Sequence, residues 1–219
     1  MKVENIKAVV FDLDGTLLDT LDDLSNATNW ALLHNRLPGR TIDEVRRFVG
    51  NGVRRLIERA VPAGTCSELF EQTFADFKAY YVDHCQEHTR PYDGIPEMLQ
   101  ALKARGFRLA IVSNKLQAGV DELYARFFSD TVDVAIGESP EIQRKPAPDM
   151  VQEALRQLGI TASEAVYVGD SDVDLLTARN SGLPCISVLW GFRDREFLEE
   201  HGATFFAAAP ADVVEALAH

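Results

Sequence analysis

Asp12-Leu13-Asp14 constrains this chain most, because it stands directly after the apolar run Ile6–Phe11. The run reads as a buried strand, and buried strands do not normally finish on carboxylates, which are costly to desolvate without a partner. Two acids that close repel each other unless a cation lies between them. Gly15 then lets the backbone turn sharply and Thr16 adds a hydroxyl. Standing alone, the segment also fits a polar turn after a strand, so the rest of the chain has to decide.

Beyond Asp14 the apolar period is helical for about seventy residues. Thr20-x-x-Asp23 resembles a capping box, and Leu21, Leu24, Ala27, Ala31 and Leu32 share a face. Leu37-Pro38-Gly39-Arg40 breaks that helix, and Thr41-x-x-Glu44 opens a second that stops at Gly50-Asn51-Gly52. A third runs from Val53 to Ala60, and a fourth starts at Ser67 with a stripe of Phe70, Phe74, Phe77 and Tyr81, expected in a bundle core.

After Arg90-Pro91-Tyr92-Asp93-Gly94 the periods alternate. Helices are expected over Ile95–Arg105, Leu116–Phe127, Asp149–Leu158, Val173–Asn180, Arg195–His201 and Ala211–Ala218. Strands are expected over Phe107–Val112, Val132–Ile136, Ala165–Val168, Pro184–Leu189 and Ala203–Phe206. Thr161-x-x-Glu164 also matches a capping box, but a strand follows it and the match is discounted. The expected fold class is α/β, a Rossmann-like parallel sheet core with helices on both faces and an inserted four-helix domain. Residues 1–16 and 91–219 would form the core and 17–90 the insertion.

Composition narrows the partners. With 46% hydrophobic residues the 219-residue chain can bury a sizeable core. A net charge of −12 argues against nucleic acid, which is held by clustered Lys and Arg, and means that an anionic substrate needs a local cation. Cys66, Cys85 and Cys185 lie far apart with no Cys-x-x-Cys pair, which fits a reducing compartment. Met1-Lys2-Val3-Glu4-Asn5 lacks the apolar region of a signal peptide, and no apolar run nears the roughly 18 residues of a membrane helix. A cytoplasmic protein is expected, monomeric or a small homo-oligomer, with no membrane partner.

In an open parallel sheet, ligands bind beyond the carboxyl ends of the strands. Four such ends carry unusual residues: Asp12 and Asp14; Ser113-Asn114-Lys115; Arg144-Lys145-Pro146; and Gly169-Asp170-Ser171-Asp172-Val173-Asp174. Asp12, Asp14 and Asp170 are hard oxygen donors of the kind Mg²⁺ takes together with waters and a substrate phosphate, and the thiols and imidazoles that would favour zinc are absent from these loops. Thr16, Ser113 and Asn114 can donate to phosphate oxygens, and Lys145 supplies a point charge. A carboxylate can attack phosphorus to form an aspartyl-phosphate, while a second carboxyl protonates the leaving alkoxide and then deprotonates water. Asp12, Asp14, Asp170 and Asp174 are too many acids for Lys145 to balance, so a metal is required and one carboxyl, Asp14 foremost, is expected to be held protonated by its neighbours.

These loops resemble the haloacid dehalogenase-like superfamily of phosphatases, in the family's order and across the whole chain. The carriers are Asp12-Leu13-Asp14-Gly15-Thr16, Ser113 after a strand, Lys145 before Pro146, and Gly169-Asp170-Ser171-x-x-Asp174. The insertion is similar to the helical cap of the phosphoglycolate phosphatase-like and β-phosphoglucomutase-like branches. The resemblance implies a Mg²⁺-dependent phosphatase acting on a small phosphorylated metabolite. Asp12 would be nucleophile and metal ligand, and Asp14 general acid/base with its backbone carbonyl on the metal. Thr16, Ser113 and Asn114 would bind the phosphoryl group, Lys145 would neutralise charge, and Asp170 would complete the metal site with Ser171 and Asp174 in support. Asp174 also reads as an ordinary first-turn helix acid.

The Phe48–Leu56 segment resembles the cap loop of the phosphoglycolate phosphatase-like branch. There Gly52 and either Arg54 or Arg55 could meet a substrate carboxylate; a helix–helix turn with two solvated arginines is the alternative. Trp190-Gly191-Phe192-Arg193 is also similar to that branch and has no role readable from sequence. A phosphomutase of β-phosphoglucomutase type, or a phospho-accepting regulatory or binding protein without turnover, are the alternatives. Asp14 disfavours a dehalogenase, which has no alkoxide to protonate.

Overall fold

The computed structural model describes residues 5–218. The chain start read as lacking a signal peptide lies outside the described residues, Asn5 excepted. Two compact units form: one takes in the described residues up to Leu17 and from Pro91 onward, and the other is Leu18–Arg90.

The second unit begins with the short strand β2 (Leu18–Asp19), β1 being Ala8–Phe11 of the first. It continues through α1 (Leu21–His34), α2 (Ile42–Phe48), α3 (Gly52–Ala60) and α4 (Ser67–His84), and Arg90–Pro91 forms β3, which pairs with β2. Its core is built from Leu24, Ala27, Ala31, Leu32, Val45, Leu56, Ile57, Phe77 and Tyr81, all buried. The capping box at Thr41 is present, with Glu44 N donating to Thr41 Oγ1 at 3.2 Å. The one expected at Thr20 is not. Asp23 instead accepts hydrogen bonds from the backbone N–H groups of His88 and Thr89 and from Thr89 Oγ1 at 2.8 Å. The His88 ring Nδ1 lies 2.9 Å from the same carboxylate, so an acid that buried meets four distant partners in place of one local amide.

The aromatic stripe of α4 divides. Phe77 and Tyr81 are buried and stack at 5.3 Å, whereas Phe70 and Phe74 are only half-buried and lie under the Arg54 guanidinium at 4.8 and 5.3 Å. Half of the expected bundle core is thus a platform for a cation.

The first unit continues with α5 (Ile95–Ala104), β4 (Arg108–Leu116), α6 (Gln117–Phe127), β5 (Val134–Glu138), α7 (Asp149–Leu158), β6 (Ala165–Gly169), α8 (Asp172–Ser181), β7 (Cys185–Val188), α9 (Arg195–Glu200), β8 (Phe206–Ala207) and α10 (Pro210–Ala216). Among the described residues the sheet has the order β5-β4-β1-β6-β7-β8, with parallel pairing throughout. Val10 pairs with Ala110 on one side and Tyr167 on the other, so β1 is central.

Side chains alternate between faces. Ala8, Val10, Ala110, Val112 and Tyr167 form one core with Met150, Val151, Ala154 and Leu158 of α7 and Ala178 of α8. Val9, Phe11, Leu109 and Ile111 point the other way and are equally buried, so both faces are covered.

Most strand ends differ from expectation, β1 starting at Ala8 and β7 spanning only Cys185–Val188, and the departures of β4, β5 and β8 are the largest. β4 extends past Val112 to Leu116 with a register shift between those residues, so Ser113 and Asn114 lie inside a bulged strand end. β5 starts two residues late, because Val132 N closes the turn after α6 on Phe128 O and the Asp133 carboxylate takes the Leu109 amide at 2.9 Å. Likewise Ala203 N closes α9 on Leu198 O, leaving only Phe206–Ala207 as β8. The discounted capping pair does form: Glu164 accepts from Thr161 N and Oγ1 across a single 3₁₀ turn, Ala162–Glu164, short enough to precede a strand. No described helix is long and apolar enough to cross a membrane.

Candidate active site

Each polar loop of the first unit is placed by a strand end. Asp12 N donates to Val168 O at 2.9 Å, which carries the β1–β6 pairing one residue further and holds the acid beside β6. Gly15 follows at φ 88°, and a Cβ there would overlap the Asp170 carboxylate. Glycine is therefore required both for conformation and for close approach. On β6, Gly169 is needed for the same closeness, since a Cβ would run into the Asp174 side chain.

The centre of the site is Lys145. Its ammonium donates to Asp12 Oδ1 at 2.6 Å, Asp174 Oδ1 at 2.9 Å and Tyr167 Oη at 3.1 Å, with the lysine only 4% exposed. Asp174 is used up as an acceptor: Oδ1 also takes the Tyr167 hydroxyl at 2.9 Å, and Oδ2 takes Ser171 N and Oγ at 3.1 and 2.6 Å. Asp174 is thus both a first-turn acid of α8, boxed with Ser171, and the support under Lys145.

Among the described residues, Asp12, Asp170 and Asp174 bring carboxylate oxygens within 4.8 Å of one another. Three acids face one ammonium. Burial, then Asp174 and Asp170, push the Asp12 carboxyl well above its usual range although Lys145 opposes them. Burial and Asp174 raise Asp170 to about 7 against the Phe192 amide, Arg193 and Lys145. Burial alone would lower Lys145, but Asp12 and Asp174 outweigh it and hold the ammonium charged. The donor set is hard oxygen with surplus negative charge, which fits a divalent cation of the Mg²⁺ type. Because Asp174 is saturated, Asp12 and Asp170 are the side chains with capacity to hold one.

Asp14 lies apart from this cluster. Its Oδ1 is 3.4 Å from Lys115 Nζ. Thr16 Oγ1 reaches Asp170 Oδ1 at 3.4 Å. Ser113 Oγ accepts from Lys115 N at 3.2 Å. Asn114 spends Nδ2 on the Lys145 carbonyl at 3.1 Å, while its buried Oδ1 has no protein partner. The amide therefore anchors the Lys145 loop.

Gly52 and Arg54 belong to the second unit. Gly52 begins α3 at φ 77°, and Arg54 is paired through both terminal nitrogens with Glu71, at 3.2 and 2.5 Å. Arg55 pairs with Glu58.

Four contributors carry no role in the sequence reading. Trp190 Nε1 donates to Thr16 O at 2.9 Å, and Phe192 N donates to Asp170 Oδ2 at 2.7 Å, so the segment after β7 ties down both acid loops. Lys115 meets Asp14, and Tyr167 meets Lys145. Tyr167 was detectable as a lone hydroxyl inside a buried apolar strand, which must find a partner.

Residues 9–188 match the family model of the haloacid dehalogenase-like hydrolases. The phosphoglycolate phosphatase of Thiobacillus denitrificans is 35% identical over 85% of each chain. The N-acetylmuramic acid 6-phosphate phosphatase of Pseudomonas aeruginosa is 31% identical over 99% of this chain and 97% of its own. A crystal structure from Lactobacillus delbrueckii, 36% identical, superposes with a TM-score of 0.93 and covers 97% of this chain and 98% of the other.

Proposed function

Because this chain belongs to the haloacid dehalogenase-like hydrolases, in their phosphoglycolate phosphatase-like branch, and is a phosphatase, we propose that it hydrolyses a small phosphorylated acid, 2-phosphoglycolate foremost, in a Mg²⁺-dependent reaction through an aspartyl-phosphate on Asp12. The observation that carries the reading is the Lys145 ammonium shared between Asp12 and Asp174, next to the Asp170 carboxylate.

Asp12 and Asp170, with the Asp14 backbone carbonyl, are the groups assigned to hold Mg²⁺. When bound it supplies charge neutralisation at the phosphoryl oxygens. Asp12 attacks phosphorus as Asp14 gives its proton to the leaving ester oxygen. Asp14 then takes a proton from the water that attacks the phosphoenzyme, so acid and base are restored in each cycle. Lys145 holds the nucleophile's orientation and offsets charge that builds on the phosphoryl group, to which Thr16, Ser113 and Asn114 donate. Residues 17–90 serve as the substrate-selecting cap, in which Gly52 and Arg54 receive the substrate's carboxylate.

A second acid merits equal testing. N-acetylmuramic acid 6-phosphate, the substrate in the name of the P. aeruginosa relative, also joins a carboxylic acid to a phosphomonoester. Inorganic phosphate release should be measured with Mg²⁺ on both compounds and on glucose 6-phosphate, ranked by kcat/KM. The reading expects preference for an acid over the neutral sugar, no need for a bisphosphate activator, and loss of turnover with chelator or Asp12→Asn. Selectivity lost in Arg54→Ala with aryl phosphate turnover retained supports the cap assignment. Equal turnover in Asp12→Asn removes the covalent mechanism.

A further inference from the structure

Lys115 is the least explained cation of the first unit. Only 8% of its side chain is exposed, a costly position for an ammonium that lacks an ionic partner. It lies in the bulged end of β4, and its Nζ approaches Asp14 Oδ1 at 3.4 Å.

Two glycines make room for this arrangement. Gly119 stands in the first turn of α6, although glycine is a poor helix former. A Cβ there would touch the Lys115 stem at Cε, Cγ and Cδ, 3.4 to 3.6 Å away. A methyl group would just fit; anything larger would push the lysine. On β5, a Cβ at Gly137 would come within 2.8 Å of the Lys115 carbonyl and 2.7 Å of Gln117 Cα. Gln117 fastens the same point, since its Oε1 accepts from Gly137 N at 2.6 Å. Neither glycine has a positive φ, so closeness is what demands them.

We propose that Lys115, seated between Gly119 and Gly137, is the positioning residue of Asp14, holding its carboxyl apart from the Asp12–Asp170–Asp174 cluster and aimed for proton transfer. The inference rests on the acid/base assignment of Asp14 made above. Without the lysine, Asp14 is free to turn toward the cation site as a further ligand. In the forward step the Asp12 oxygen–phosphorus bond forms, the phosphorus–ester oxygen bond breaks, and the proton passes from Asp14 to that oxygen. An aryl leaving group needs no proton, whereas an alkyl one does. Both classes need Asp14 as base for dephosphorylation.

The test compares Lys115→Met, Lys115→Arg, Gly119→Leu and Asp14→Asn in the full chain with Mg²⁺. The substrates are 4-nitrophenyl phosphate followed in the pre-steady state and an alkyl phosphate followed in the steady state, and Mg²⁺ affinity is read by calorimetry. In Lys115→Met a near-stoichiometric nitrophenol burst should persist, subsequent turnover should slow about 10²-fold, and the alkyl phosphate should show no burst with kcat reduced at least as far. Mg²⁺ affinity should change as well. Gly119→Leu, which displaces the lysine without removing its charge, should reproduce this pattern, and Lys115→Arg should restore part of the rate. If Asp14→Asn shows the burst pattern and Lys115→Met does not, the positioning role is overturned while the acid/base role stands. If Lys115→Met changes KM alone, the lysine binds substrate and the proposal fails. If Asp14→Asn itself shows no dependence on the leaving group, both fail.

Discussion

Lys145 Nζ lies 2.6 Å from Asp12 Oδ1, a contact that spans 133 positions of sequence. The same ammonium holds Asp174, so one cation bridges the end of β1 and the start of α8. Lys145→Met would leave two buried acids facing each other. It should reduce kcat/KM about 10³-fold and destabilise the fold by about 3–5 kcal/mol at neutral pH. Lys145→Arg should not rescue activity, because Asp12, Asp174 and Tyr167 surround a point charge and leave no room for a planar fork. Phosphate release and urea denaturation check both.

Asp170 should make the metal-free protein pH-sensitive. Its carboxyl is raised from 3.8 to about 7 by burial and by Asp174. A raised folded value means that its stabilising contribution is complete below about pH 4 and is lost as pH rises through about 7. With chelator, the melting temperature should therefore fall between pH 5 and pH 8. Asp170→Asn should flatten that slope, raise the metal-free melting temperature at pH 8, and abolish stabilisation by Mg²⁺. An unchanged slope in the variant would contradict the assignment.

Gly191 supports the same carboxylate from the other side. A Cβ there would overlap both Asp170 and the Gly15 carbonyl, although its φ is not positive. Gly191→Ala should cost about 1–3 kcal/mol through overpacking and weaken Mg²⁺ binding more than a comparably destabilising core change elsewhere. Calorimetric titration beside thermal melts separates the two effects.

Asp23 in the Leu18–Arg90 unit is 2% exposed and satisfies the amides of His88 and Thr89 and the Thr89 hydroxyl. Asp23→Ala would strand these donors and should destabilise the protein by about 3 kcal/mol, with Asp23→Asn intermediate. Urea unfolding reads the difference.

The groups of the site were legible because their chemistry is improbable where they stand. Carboxylates after an apolar strand, and a lysine between a polar loop and a proline, announce themselves without coordinates. The four helices of residues 17–90 were legible from period and breakers, and the bounds of α7 were read to the residue. The register of β4 and β5 was not. The Val112–Leu116 shift appears only in the pairing of β4 with β5, and the two-residue delay of β5 goes with the Asp133 carboxylate taking the amide of Leu109, 24 positions away, which no local window contains. The partners of Trp190, Phe192 and Lys115 were hidden for the same reason.

For Asp12-Leu13-Asp14-Gly15-Thr16, the order of residues determined that a charged pair would finish a buried strand and need a cation. Tertiary structure alone decided how the two acids divide: Asp12 joins Asp170 and Asp174 within 4.8 Å, while Asp14 is drawn to Lys115. Desolvation and charge repulsion depend on distance in space, and those distances are set by strands and helices far apart in the chain.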